Sequence, residues 1–189
     1  MTTLNQFYTA DDLEDHCTLP DCWVSLFGKV LNISALLLEN SDSTLINPIL
    51  KVSGSDISHW FDSKTHDLKT KIDVNMGKKV YVYPPEGRFL HAPNNFPVAF
   101  NEPFASTPWW KDSKYVIGTL TGKKRSIRII NSLTHQEQEL LVPSEETIQQ
   151  ICSRYEVYNS HAKSYTFKDI FNNVLDMGKT LEANGIKDL

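Results

Sequence analysis

The amino-acid sequence predicts an α+β fold for this chain of 189 residues. Two short apolar strand patterns lie at 23–27 and 30–33, and the Gly28-Lys29 pair between them is typical of a β-hairpin. Further along, Ser144 precedes two glutamates and then apolar residues at helical spacing, which is the pattern of a helix start. A sequence that mixes hairpin, helix and strand patterns is typical of a protein in which helix and sheet share one core.

A proline-rich segment divides the chain into two predicted domains. Residues 84–110 hold six prolines, and proline lacks the backbone N–H and fixes φ, so long helices and central strands are excluded there. The same segment carries enough aromatic residues, from Phe89 to Trp110, to lie across a neighbouring surface. We therefore predict a first domain at 1–83, a structured linker at 84–114 and a second domain at 115–189.

Local patterns predict the remaining elements. In the first domain we expect a helix that Thr9 caps, a second helix at 35–39, a loose amphipathic helix within 63–79 and an edge strand at 80–83. In the second domain we expect strands at 115–120, 126–131, 137–142 and 165–171, a helix that Ser144 caps, and a last turn at 180–186.

Charge and composition argue against several classes of protein. The formal net charge of −4 disfavours a dedicated nucleic-acid-binding protein, which would carry a basic face. No apolar run approaches the ~20 residues of a membrane-spanning helix, so we expect neither nucleic acid nor membrane as a partner. Three cysteines are an odd and sparse set for a secreted disulfide framework, so we expect reduced thiols in an intracellular protein.

Catalytic motifs are missing from the sequence. It contains no glycine-rich phosphate loop, no Cys/His nucleophile arrangement and no paired metal motif. His16 and Cys17 with Cys22 could form half of a zinc site, but no second half with suitable spacing follows. We therefore expect that the protein is not an enzyme and has no catalytic residue.

The most distinctive stretch runs from Ser55 to Asp62 and places an imidazole, an indole and a phenyl ring side by side in His59, Trp60 and Phe61. Histidine is the commonest metal ligand, and aromatic neighbours supply the apolar wall that a flat cofactor needs. We take these three residues as candidate cofactor-binding residues. The alternative is that His59 is one hydrogen-bonded histidine on an ordinary aromatic-rich turn.

Both halves of the chain resemble known domains. The first half resembles a cytochrome b5 domain at three places. These are Tyr8-Thr9 with the acidic helix that follows, the run from Trp23 to Ser34, and the segment Gly54-Ser55-Asp56-Ile57-Ser58-His59-Trp60-Phe61. Residues 126–186 resemble a ubiquitin-like β-grasp. The order of the halves, with 87–93 and Trp109-Trp110 between them, is similar to a ciliary family in which a cytochrome b5-like domain precedes a ubiquitin-like domain.

This resemblance implies a function. It implies a non-enzymatic component of motile cilia, located in the axoneme at the stalk of the radial spoke, with radial-spoke and other axonemal proteins as partners. It also implies haem b as the cofactor and a redox-linked control of ciliary beating. The alternatives are a purely structural adaptor that has lost haem binding and an electron-transfer haem protein.

The sequence departs from ordinary cytochrome b5 at the iron ligands, which in that family are two histidines. The loop at 39–45 matches the family's first ligand loop but contains no histidine. His66 lies at the place of the second ligand, ten residues after Asp56. His59 and His91 are the alternative metal ligands, because they lie in the parts that most resemble the ciliary family. Haem iron accepts one or two axial ligands, so these alternatives stay open.

The ubiquitin-like resemblance predicts one more strand than the sequence provides. In a β-grasp sheet that strand lies in the middle, so its absence would leave backbone groups unpaired on both sides. We expect either a protein longer than 189 residues, which we favour, or a partner that supplies the strand by β-augmentation. No terminal Gly-Gly for conjugation is present.

Overall fold

The computed structural model describes residues 6–94 and 107–187. Its strands are β1 (Phe7–Tyr8), β2 (Cys17–Thr18), β3 (Asp21–Leu26), β4 (Lys29–Asn32), β5 (Thr70–Asp73), β6 (Lys78–Tyr81), β7 (Val116–Leu120), β8 (Lys124–Ile130) and β9 (Glu137–Pro143). Its α-helices are α1 (Ala10–Glu14), α2 (Ser34–Glu39), α3 (Asn47–Lys51) and α4 (Ile148–Tyr155). The mixed α+β composition is therefore confirmed.

The pattern of contacts between residues divides the chain into two compact units. One runs from Ala10 to Thr119, and the other combines the residues up to Thr9 with those from Leu120 onward. This division differs from the boundaries at 83 and 115 that the sequence suggests. The reason lies in β7, which pairs with β4 and places Gly118 opposite Val30, so the strand predicted to open the second domain lies in the sheet of the first unit.

The sheet of the Ala10–Thr119 unit has the antiparallel order β2–β3–β4–β7. β3 and β4 form the predicted hairpin, and the φ angles of Phe27 and Gly28 are 48° and 77°. Two successive positive φ values are typical of the type I′ turn, whose twist matches that of the flanking strands. The local glycine signal therefore predicts the hairpin, but its turn is Phe27-Gly28 rather than the predicted Gly28-Lys29, because Lys29 pairs with Leu26.

The Ser55–Asp62 stretch begins beside the part of β3 that lies beyond the two residues paired with β2. The N–H of Gly54 donates to the carbonyl of Trp23 at 2.8 Å, and the N–H of Ile57 donates to the carbonyl of Ser25 at 2.9 Å. These bonds hold the stretch beside the central strand of the unit.

The amphipathic helix predicted within 63–79 is wrong. β5 and β6 form a hairpin there, with Thr70 opposite Tyr81. The carboxylate of Asp73 accepts the N–H groups of Asn75 and Met76 at 2.9 and 3.0 Å, and this turn reverses the chain. Ile72 is 71% exposed, so its spacing does not mark a buried helix face.

The described parts of the predicted linker belong to the core of this first unit. Its buried residues include Phe89, Leu90, Ala92, Trp109 and Trp110, which join one apolar cluster with side chains of β3, β4 and α2. Aromatic side chains bury 150–250 Å² each, roughly, so they pack into a core more favourably than they line a solvated linker. Phe96, Phe100 and Phe104 of the same segment lie outside the described residues.

The second unit is built on the β8–β9 hairpin, which pairs from Lys124 opposite Pro143 to Ile130 opposite Glu137. Helix α4 contributes one apolar face to its core, where the buried residues are Leu140, Val142, Ile148, Ile151, Cys152, Tyr155, Ala162 and Leu181. Thr147 caps α4, rather than the predicted Ser144. Its hydroxyl accepts the N–H of Gln150 while the Gln150 side chain accepts the N–H of Thr147, which is a capping box.

The strand predicted at 165–171 is also wrong within the part of the chain that the structure describes. Only Lys168 and Val174 form an isolated bridge there. The carboxylate of Asp169 accepts the N–H groups of Phe171 and Asn173 at 2.9 and 2.8 Å, so the segment turns instead of extending. The ubiquitin-like architecture of this unit stays a prediction.

None of the helices in the described ranges combines the length and the hydropathy that crossing a lipid bilayer requires.

Candidate functional site

The carboxylate of Asp56 fixes the Ser55–Asp62 stretch to strand β3. The hydroxyls of Ser25 and Ser58 donate to the same oxygen, Oδ1, at 2.8 and 2.7 Å. Ser58 Oγ in turn accepts the N–H of Phe27 at 2.7 Å. Because Ser25 is fully buried, its hydroxyl would cost about 1–3 kcal/mol without this acceptor. Asp56 therefore holds the stretch in place, a role that the sequence analysis missed.

The three predicted cofactor-binding residues do not share one environment. Trp60 and Phe61 are 3% and 2% exposed and belong to the core, whereas His59 is exposed. The imidazole of His59 meets the edge of the Trp60 ring, with centroids 6.2 Å apart and planes at 79°. His59 thus lies on the outer surface of the core rather than inside it.

An aromatic cluster fills the core beside this stretch. We use that name for Trp60, Phe61, Phe89, Trp109 and Trp110, whose neighbouring ring centroids lie between 4.9 and 6.2 Å apart. These are contact distances for tilted and edge-to-face aromatic pairs. The rings therefore pack against one another, and the predicted apolar wall is part of a closed core.

His66 also lies at the surface, and its ring stacks on Phe27 with centroids 4.5 Å apart and planes at 22°. The preceding turn is set by Asp62, whose carboxylate accepts the N–H groups of Lys64 and Thr65 at 2.9 Å each. These two bonds hold the pKa of Asp62 below its usual range. Since Phe27 also contacts Ser58, His66 and the turn that carries His59 meet at one surface position.

His91 has a different role, as a hydrogen-bond acceptor for the backbone of Trp109. The N–H of Trp109 donates to His91 Nδ1 at 3.1 Å. In a neutral imidazole the nitrogen that accepts is unprotonated, so Nε2 carries the proton and has no lone pair to offer a metal. Partial burial of the ring lowers the pKa of His91, and the charge of Lys114 lowers it further, which favours this neutral form.

The three predicted metal ligands therefore do not fit an interior haem site held between two imidazoles. His59 and His66 face solvent, the lone pair of His91 is engaged, and the aromatic cluster occupies the adjacent core. In the described ranges, no group of three or more His, Cys, Asp or Glu side chains could hold a metal ion. The structure brings His66 and the turn that carries His59 to Phe27 and leaves His91 at Trp109.

Comparison with known proteins gives one consistent set of relatives, although no protein-family model matches the chain. The chain is 49% identical over 183 residues to cytochrome b5 domain-containing protein 1 of Xenopus tropicalis, covering 97% of the chain and 83% of that protein. It is 43% and 44% identical, each over 183 residues, to the proteins of the same name in Mus musculus and Homo sapiens. Each of those alignments covers 97% of the chain and 79% of the relative.

Proposed function

The chain belongs to the cytochrome b5 domain-containing protein 1 family, and we propose that it is a non-enzymatic component of the axoneme of motile cilia, at the stalk of the radial spoke. In this proposal it acts as a structural adaptor that binds radial-spoke and other axonemal proteins. The ciliary location is supported by the resemblance of the whole chain, from Trp23-Val24-Ser25 through Trp109-Trp110 to the second half, to the ciliary family.

The aromatic cluster is the observation that carries the adaptor proposal. Its five side chains are between 0% and 6% exposed and fill the core beside the Ser55–Asp62 stretch. A core closed by the protein's own rings stabilises a fold without presenting a reactive centre. The function then depends on surfaces that other proteins can bind.

The second unit offers such surfaces. Ile170, Phe171 and Val174 lie on the turn that Asp169 closes, and they are 93%, 79% and 66% exposed. Large apolar side chains grouped in this way on a soluble surface are typical of an interaction site. We call these three residues the apolar turn and assign it to contact with an axonemal partner.

Strand β8 is a second candidate contact. Among the described residues its ladder partner is β9, on one side only. The backbone groups along the other side, from Ser126 to Ile130, are in position to accept a strand from an axonemal protein by β-augmentation.

Retention in isolated axonemes tests the adaptor proposal. The tagged chain is expressed in multiciliated cells, and its fraction in the axoneme pellet is measured after detergent removal of the membrane. We expect wild-type chain in the pellet, released with radial-spoke proteins by chaotropic salt, and several-fold lower retention of the variant Ile170→Ser with Phe171→Ser. Val74→Ser, at a side chain that is 95% exposed in the other unit, is the control and should be retained. Complete extraction of the wild-type chain by detergent would contradict the proposal.

Haem binding linked to redox control is the second candidate function. It is supported by the family's cytochrome b5 domain and by the meeting of His66 with the His59 turn at Phe27. Among the described residues the aromatic cluster packs in the core beside the Ser55–Asp62 stretch, so we place the haem of this candidate function at the exposed position.

A haemin titration of the purified chain separates the two candidates. An adaptor without haem should give the absorbance of free haemin at every ratio. Haem held by the exposed histidines should give a saturable Soret band that His59→Gln with His66→Asn abolishes. His135→Asn is the matched control, since His135 and His66 are both exposed with φ near 55° and asparagine tolerates that conformation.

A further inference from the structure

Cys17 and Cys22 lie opposite each other across the β2–β3 ladder. The flanking hydrogen bond runs from the N–H of Trp23 to the carbonyl of His16 at 2.9 Å, one residue beyond the pair on each strand. The N–H of Cys22 donates instead to Ser34 Oγ at 2.9 Å. Cys17 and Cys22 therefore occupy a non-hydrogen-bonded pair position of an antiparallel ladder, where facing side chains are closest.

This pairing has the geometry that a disulfide needs. Residues in a non-hydrogen-bonded pair have Cα atoms about 4.5 Å apart and side chains on the same face of the ribbon. A disulfide accommodates Cα separations of about 4.4–6.8 Å, so the pair can be bridged without moving the backbone far.

The two thiols differ in access to solvent. Cys17 is exposed, whereas Cys22 is fully buried. Burial raises the pKa of Cys22, and the neighbouring charges of Asp21 and Cys17 raise it further. An oxidant in solution therefore reacts with the exposed Cys17 before it can reach the buried Cys22.

We propose that Cys17 and Cys22 form a reversible intramolecular disulfide when the protein meets a small-molecule disulfide such as oxidised glutathione. The Cys17 thiolate attacks one sulfur of the oxidant, forms a mixed disulfide and releases one glutathione thiolate. The Cys22 thiolate then attacks Cys17 Sγ and releases the second glutathione thiolate. The two protein thiols lose two protons and two electrons, and the oxidant takes them up as two thiols.

The third cysteine, Cys152, is not expected to compete with this disulfide. Cys152 is 2% exposed and lies on α4 in the other unit. The pair itself adjoins the candidate site, because a Cβ placed on Gly54 would lie 2.8 Å from Cys17 Cβ and Gly54 immediately precedes the Ser55–Asp62 stretch. Oxidation would thus tie β2 to β3 next to the backbone that carries His59.

Thiol counting in glutathione buffers tests this site in the purified full chain. At increasing ratios of oxidised to reduced glutathione, free thiols are alkylated and the protein is weighed and mapped by mass spectrometry. We expect wild type to go from three free thiols to one, with a peptide cross-linked between Cys17 and Cys22, and to recover all three after reduction with dithiothreitol. Cys152→Ser should lose both of its thiols at the same ratio, and Cys22→Ser should stop at glutathionylated Cys17.

Three results in wild type would overturn the proposal. They are glutathione retained on Cys17 with Cys22 still free, covalent dimers joined through Cys17, and an unchanged thiol count across the buffers. Because the wild-type peptide map decides among these results, the conclusion does not depend on the folding of either variant.

Discussion

Replacing Trp109 with alanine is expected to lower the free energy of unfolding by about 3–5 kcal/mol, the usual cost of truncating a buried tryptophan. Trp109 is fully buried, with its ring centroid 5.8 Å from that of Trp110 and 6.2 Å from that of Phe89. Its Nε1–H donates to the carbonyl of Leu90 at 3.0 Å, so truncation also leaves a buried acceptor without its partner. Urea denaturation followed by circular dichroism measures the change.

Two further variants make the Trp109 result specific. Trp109→Phe keeps a ring in the aromatic cluster but loses the bond to Leu90, so its cost should fall below that of the alanine variant. Val74→Ala truncates a side chain that is 95% exposed in the same unit and should change stability by less than about 0.5 kcal/mol. If Trp109→Ala costs no more than Val74→Ala, the proline-rich segment does not belong to the core.

Replacing Gly54 with alanine is expected to destabilise the protein by about 2–4 kcal/mol, because two penalties combine. Gly54 has φ of +82°, which side chains rarely adopt. Its new Cβ would also lie 2.8 Å from Cys17 Cβ and 3.0 Å from the backbone oxygen of Leu13. The same denaturation measurement reports the loss.

Gly28→Ala separates these two penalties. Gly28 has a similar φ of +77°, but a Cβ there meets nothing within 4 Å, so only the conformational cost of about 1–2 kcal/mol applies. We expect the Gly54 variant to lose clearly more stability than the Gly28 variant. Equal losses would mean that helix α1 and strand β2 move away from the new Cβ without a loss of stability. The close packing at Gly54 would then not contribute to the effect.

Elements whose structure is determined by residues close together in the sequence could be predicted. Elements that depend on contacts between residues far apart in the sequence could not. The hairpin around Gly28 and the helix near 148–155 follow from local patterns. In the region 63–79 the carboxylate of Asp73 closes a turn, and this turn overrides the helical spacing of the apolar residues. β7 belongs to the Ala10–Thr119 unit because it pairs with β4, and no local sequence pattern encodes a pairing between residues so far apart in the chain.

The candidate site divides in the same way. The sequence marks Trp60 and Phe61 as aromatic, but whether such rings line a cavity or fill a core depends on Phe89 and Trp109, which come much later in the chain. The bonds of Asp56 likewise depend on Ser25, on a different element. The lone pair of His91 is engaged by a backbone N–H that only the fold brings near it.

The pairing of β7 with β4 also has a consequence for synthesis on the ribosome. Val30 emerges early, but its ladder partner Gly118 is made only after the whole proline-rich segment. Contacts between residues this far apart raise the contact order of the unit and slow its folding. Until Trp109 and β7 leave the exit tunnel, the apolar side of the nascent chain stays uncovered, which favours aggregation at this stage of synthesis.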